Sequence, residues 1–337
     1  MGEAAVKYCP ELDGLRCLSA TAVILLHSRP KGPFQGGYIG VDVFFVLSGF
    51  LITSLLAAEY RQSGRINLPR FYWKRIVRLM PALLLMLAAY LVIAPLLWPG
   101  YAHARDALLA AIYFSDFTLT FSNAPKYLGH TWSLAVEEQF YLLWPLLLVP
   151  LLRSSSPVRL LVWIFVGLTI WRGLFAGTWQ AYFFRPDTHG TGLVAGAALA
   201  FALPKLKPKP FWAVAGALTI VALGFFSSKQ WTWATITLAE VAAVLIIAAV
   251  MAGNAGTVGT VLRRGILVRG GKISYAVYLW HYPFVCFVRT KWDFMPTALA
   301  TLLFSFSMAV ISNHTAEAYG RRLRRQTRWG SNSMQSG

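Results

Sequence analysis

Apolar runs of about twenty residues recur from one end of this chain to the other, and few charges interrupt them. A run of that length spans the hydrocarbon core of a bilayer as a helix, which satisfies its own backbone there. The runs fall near residues 14–29, 37–58, 79–98, 134–152, 159–177, 189–203, 211–226, 234–252, 273–290 and 296–318. They predict an all-α polytopic membrane helix bundle of about ten transmembrane helices. Composition agrees: 57% of residues are hydrophobic and 13% charged, against about 25% charged in soluble domains.

An eleventh stretch, 107–122, is interrupted by Asp116. If it does not cross, most of the chain's 31 Lys and Arg fall on one side. The positive-inside rule makes that side cytoplasmic and puts both termini there. The 107–122 stretch is then re-entrant or interfacial on the outer side, and Arg185 and Asp187 open the sixth helix on that side. No long polar segment stands apart. Residues 1–322 read as one integral-membrane domain and residues 323–337 as a flexible cytoplasmic tail.

The net charge of +18 is the loop bias of a membrane protein rather than a footprint for nucleic acid. Cys9, Cys17 and Cys286 form no CxxC or zinc pattern, and no metal site is expected. The N-terminus has no cleavable signal peptide pattern, so the first helix reads as an uncleaved anchor.

The first apolar run carries Arg16 and His27, eleven residues apart. On a helix they share nearly one azimuth, about 16 Å apart along the axis. Ionisable groups inside a bilayer are costly and mark function by default. Further on stand GGYIGVDVFFVLSGFLIT (36–53), FYWKRIVRLMPAL (71–83), HTWSLAVEEQFYLLWP (130–145), RPDTHGTGLVAGAALA (185–200) and SYAVYLWHYPF (274–284). Together with LDGLR and His27, in this order, they resemble integral-membrane acyltransferase family 3, the bacterial O-acyltransferases of sugars and related acceptors. The resemblance covers roughly residues 10–320. It departs at Cys17, where the family usually has Gly, at Thr188 and His189, where it is usually more apolar, and at Glu317-Ala318-Tyr319-Gly320 near the end.

The resemblance implies an O-acetyltransferase of the bacterial inner membrane. An acyl group, usually acetyl, moves from cytoplasmic acyl-CoA to a hydroxyl of a carbohydrate-containing acceptor. His27 is read as the general base, because an imidazole titrates near neutrality. A covalent acyl-histidine stays open. Arg75 and Arg78 share a helix face and suit the phosphates of CoA, with Arg16 as a third donor-binding cation. Asp42 is read equally as a partner that orients His27 and as a structural ion pair to Arg16. Glu137 lies seven residues from His130 and four from Tyr141. With Trp132 these form an expected sugar-hydroxyl site at the outer face, Glu137 in a catalytic role. Arg185, Asp187 and His281 are further substrate-binding candidates. The rival reading is a transporter of a solute or lipid-linked sugar, its buried charges a proton relay. It is weakened by the lack of a visible inverted repeat.

Overall fold

The computed structural model describes residues 8–29, 32–174, 179–227 and 231–327. Within them run α1 (Pro10–Ser28), α2 (Ile39–Ser63), α3 (Leu68–Leu97), α4 (His103–Ala111), α5 (Ser115–Ser122) and α6 (Thr131–Arg153). Then come α7 (Pro157–Leu174), α8 (Trp179–Phe183), α9 (Pro186–His189), α10 (Thr191–Ala202), α11 (Pro210–Phe226) and α12 (Thr232–Met251). Last are α13 (Gly256–Leu262), α14 (Gly265–Lys272), α15 (Ser274–Val288), α16 (Phe294–His314) and α17 (Ala316–Gln326). No strand occurs among the described residues, so the chain is all-helical, as the apolar runs predict.

Local chemistry sets the ends of the helices around the site. Pro10 opens α1 with Glu11 and Asp13 in its first turn, where acidic groups meet the positive helix end. Gly64, at φ +70°, stops α2 in the left-handed conformation that glycine adopts without strain. Asn67 caps α3, its side chain accepting from the Arg70 amide at 3.0 Å.

The most enclosed of the long helices is α2. Val43, Phe45, Val46, Leu47 and Phe50 are all buried along it. It lies backbone to backbone on α10 because each helix presents a glycine to the other. A Cβ on Gly49 would stand 2.0 Å from the Leu193 carbonyl oxygen, and one on Gly196 2.0 Å from that of Val46. Small residues permit such approach between helices in a membrane. The outer surface is the reverse of a soluble protein's: Leu96, Phe226 and Leu303 are 81%, 86% and 72% exposed. Surfaces so apolar belong in lipid.

Among the described residues six helices are long and apolar enough to cross a membrane: Gln35–Ser63, Leu68–Leu97, Thr131–Arg153, Pro157–Leu174, Thr232–Met251 and Phe294–Gln326. The expected ten are not reached on that measure. The segments Thr191–Lys205 and Pro210–Phe226 are apolar but shorter, α15 has 15 residues, and α1 carries Glu11, Asp13 and Arg16.

The 107–122 stretch is broken into α4 and α5, of 9 and 8 residues, each too short to cross. The break falls at Tyr113, with φ 55°. The two ends of this hairpin meet where Lys126 Nζ donates to the Tyr101 hydroxyl at 2.6 Å. That bond holds the Lys126 ammonium above its ordinary pKa. Helix α17 runs to Gln326, so residues 323–326 of the expected tail are helical. Residues 328–337, Lys7 and the last residues of the 159–177 run lie outside the described residues.

Candidate active site

Two cavities occupy the middle of the bundle. The first, of ≈ 250 Å³, gathers Arg16 from α1, Ser48 from α2, Arg75 and Arg78 from α3, and Glu137, Glu138 and Tyr141 from α6. Arg16 pairs with Asp13 at 3.6 Å. The Arg75 guanidinium lies 3.8 Å from the centroid of the Tyr141 ring, a cation–π contact that holds it against the wall. Ser48 and Tyr141 both donate to Glu137 Oε1. Tyr113, at the tip of the α4–α5 hairpin, also lines this cavity. Gln139 fixes the tip, donating to the Tyr113 carbonyl at 3.3 Å and to Asp116 Oδ2 at 3.0 Å. Burial pushes the Asp116 carboxyl up from its ordinary pKa.

The second cavity, of ≈ 380 Å³, holds His27 and His130 within a wall of Tyr38, Trp132, Trp179, Phe183, Phe184 and Tyr282. No Asp or Glu lines it among the described residues, and Lys126 stands at its edge. His27 Nδ1 is 3.0 Å from His281 Nε2. His281 Nδ1 donates to the Tyr278 carbonyl at 2.5 Å. Tyr282 meets the His27 ring edge-on at 4.8 Å and stacks on His130 at 5.0 Å. Both His130 nitrogens are buried without a hydrogen-bond partner. Val41 and Tyr278 line both cavities, so these two side chains form the partition between them. The Tyr278 hydroxyl is fixed by the His130 carbonyl at 2.9 Å and Ser133 Oγ at 2.7 Å.

The structure thus brings Arg16, Arg75, Arg78, Glu137 and Tyr141 to one cavity and His27, His130, Trp132 and the contact with His281 to the other. It does not join Glu137 to His130 in one outer-face site. Both lie on one stripe of α6, but seven residues raise Glu137 about 10 Å along the axis, past the partition. Asp42 is found against neither Arg16 nor His27. Its carboxylate lies 2.9 Å from His189 Nε2, both side chains fully buried. Val41 and Ser48 line cavities, whereas residue 42 is turned about 100° from residue 41, toward α9 and α10. Arg185 and Asp187 pair with each other at 2.7 Å and line neither cavity.

Sequence reasoning missed the neighbours of Asp42. Arg172 donates to the Thr188 carbonyl and Thr191 Oγ1 at 3.0 and 2.8 Å. Glu240 accepts from Thr191 at 2.5 Å. The one hint was His189 and Thr188 in a stretch expected to be apolar. It also passed over Glu138, Tyr113 and Tyr275 in the first cavity. Among the described residues no group of three His, Cys, Asp or Glu is arranged to hold a metal ion.

Residues 10–312 match the profile of the Acyltransferase domain family, and the chain belongs to that family. It is 33% identical over 312 residues to O-acetyltransferase OatA of Staphylococcus aureus, covering 84% of this chain and 52% of that protein. It is 31% identical over 313 residues to peptidoglycan O-acetyltransferase OatA of Listeria monocytogenes, covering 83% and 50%. The chain therefore spans about half the length of the curated relatives it matches. No solved structure matches it.

Proposed function

We propose that the chain is a multi-pass membrane O-acetyltransferase that carries acetyl, or another acyl group, from acyl-CoA to a hydroxyl of a carbohydrate acceptor. Relatives bearing O-acetyltransferase names support the reaction, and the peptidoglycan named for one of them makes an envelope glycan the first acceptor to test. The observation that carries the reading is the pair of cavities. Three arginines line one, His27 lines the other, and a two-residue partition divides them.

In this reading the ten apolar runs all cross and both termini are cytoplasmic, on the positive-inside argument. Residues 1–322 act as one domain of a bacterial inner membrane protein. The CoA phosphates meet Arg75, Arg78 and Arg16, because guanidiniums bind phosphate through two parallel hydrogen bonds. The thioester passes Tyr278 toward the second cavity. There His27 Nε2 takes the proton of the acceptor hydroxyl as its oxygen attacks the thioester carbonyl. The C–S bond breaks and the CoA sulfur receives that proton. His130, Trp132 and the aromatic wall hold the acceptor. Glu137 lines the other cavity from His27 and so orders the donor side through Ser48 and Tyr141. Arg185 and Asp187 pair with each other, and Trp171 also donates to Asp187, outside the lining of both cavities.

The test is acetyl transfer by the purified protein in vesicles, with acetyl-CoA on one side and envelope glycan on the other. Wild-type protein releases CoA thiol and leaves base-labile acetyl ester on the glycan. His27→Ala lowers the rate by at least about 10²-fold while acetyl-CoA still binds. Movement of glycan or solute with no consumption of acetyl-CoA makes the protein a transporter instead.

A further inference from the structure

We infer that His281 is a positioning residue, the hydrogen-bond acceptor that fixes the tautomer of His27 so that its Nε2 faces the second cavity as a free base. The inference rests on the reading of His27 given above and extends it to a residue 254 positions away.

The argument is a count of protons. A backbone carbonyl only accepts, so the 2.5 Å contact between His281 Nδ1 and the Tyr278 carbonyl puts a proton on Nδ1. His281 is fully buried among aromatic rings. An uncompensated charge there is costly, so the resting ring is neutral and its Nε2 is bare. The 3.0 Å contact to His27 then has one polarity: His27 Nδ1 donates and His281 Nε2 accepts. In neutral His27 the remaining nitrogen, Nε2, carries the lone pair. His27 lines the second cavity, and no protein group is hydrogen-bonded to its Nε2 among the described residues. The backbone of α15 thus sets one ring, and that ring sets the next.

The same link serves the loaded state. When His27 Nε2 takes the hydroxyl proton, the new charge lies on a ring whose Nδ1–H already points at a bare nitrogen. That hydrogen bond becomes charge-assisted and strengthens as the proton moves. When the proton passes to the CoA sulfur, the pair returns to its resting state with no net change.

The test separates this role from simple filling of space. In His281→Gln the amide oxygen reaches the place of Nε2 and accepts from His27. In His281→Asn the amide nitrogen reaches the place of Nδ1 and keeps the bond to the Tyr278 carbonyl, but nothing accepts from His27. Acetyl transfer from acetyl-CoA to envelope glycan is measured in vesicles, with acetyl-CoA binding as the check on folding. We expect Asn to lower kcat by about 10- to 100-fold with KM for acetyl-CoA unchanged, and Gln to stay within about fivefold of wild type. The double variant His27→Gln/His281→Asn should be no slower than His27→Gln alone, since the second residue acts through the first. If Asn does not fold, His281→Ala with added imidazole replaces it. Imidazole should restore transfer and the isosteric, non-basic thiophene should not. Equal activity of Gln and Asn, multiplying defects in the double variant, or equal rescue by both rings overturns the role of His281. Wild-type transfer by His27→Gln overturns instead the reading of His27 as base.

Discussion

A sugar hydroxyl holds its proton firmly at neutral pH, so a site that acylates one must supply a base and keep a strong leaving group within reach. His27 and the arginines line the two cavities that share Val41 and Tyr278, and on the proposed reading the first supplies the base and the second hold the CoA leaving group. Replacing Arg75 and Arg78 with Ala should weaken acetyl-CoA binding by about tenfold or more, with acceptor binding unchanged. Lys at both positions should recover part of the loss, because it keeps the charge and loses the two-pronged geometry. Calorimetric titration with acetyl-CoA at two salt concentrations checks this, and the defect should shrink at high salt. Wild-type affinity in the double Ala variant removes both residues from the donor site. That these residues line cavities was legible from local spacing, Arg16 to His27 along one helix and Arg75 to Arg78 along another. Asp42 was not. Its partner His189 lies 147 residues away, and spacing carries no information across such a gap. His281 was legible as a candidate, but its contact with His27 came only from the folded chain.

At the scale of elements, the contact of α2 with α10 fixes where Ser48 and Val41 face the cavities. Gly196→Val would drive a side chain into the Val46 carbonyl, which no rotamer change relieves. It should lower stability by about 1–3 kcal/mol, read as a fall in thermal unfolding midpoint in detergent. Gly167→Ala, with nothing within 4 Å of the new methyl, should leave the midpoint unchanged or raise it slightly, since Ala favours helix. A matching midpoint for both variants would remove the close contact as a stabilising feature. Helix positions were readable from apolar runs because burial in lipid leaves few alternatives. Exact ends were less so, as α17 shows by running into the expected tail. The 107–122 stretch is interrupted, but at Tyr113 rather than at Asp116, which lies in the first turn of α5.

For the whole molecule, the orientation rests on charge, and labelling tests it. A cysteine at Asn123, on the rim of the second cavity, should react with a membrane-impermeant thiol reagent from outside intact cells. One at Ser63, at the end of α2, should react only after the cells are opened. Labelling of position 123 from the inside alone would reverse the assignment and end the ten-crossing arrangement. The partition of Val41 and Tyr278 has one more consequence, which concerns the cell rather than the substrate. A bacterial inner membrane stores energy as a proton gradient, and a water-filled shaft through it would act as a short circuit. With the Tyr278 hydroxyl tied to the His130 carbonyl and Ser133, a fixed side chain stands where the two chambers adjoin, and the proposed route for the thioester implies that it also breaks a wire of water between them. On the proposed reading, such a plug lets acyl transfer proceed across an energised membrane without discharging it.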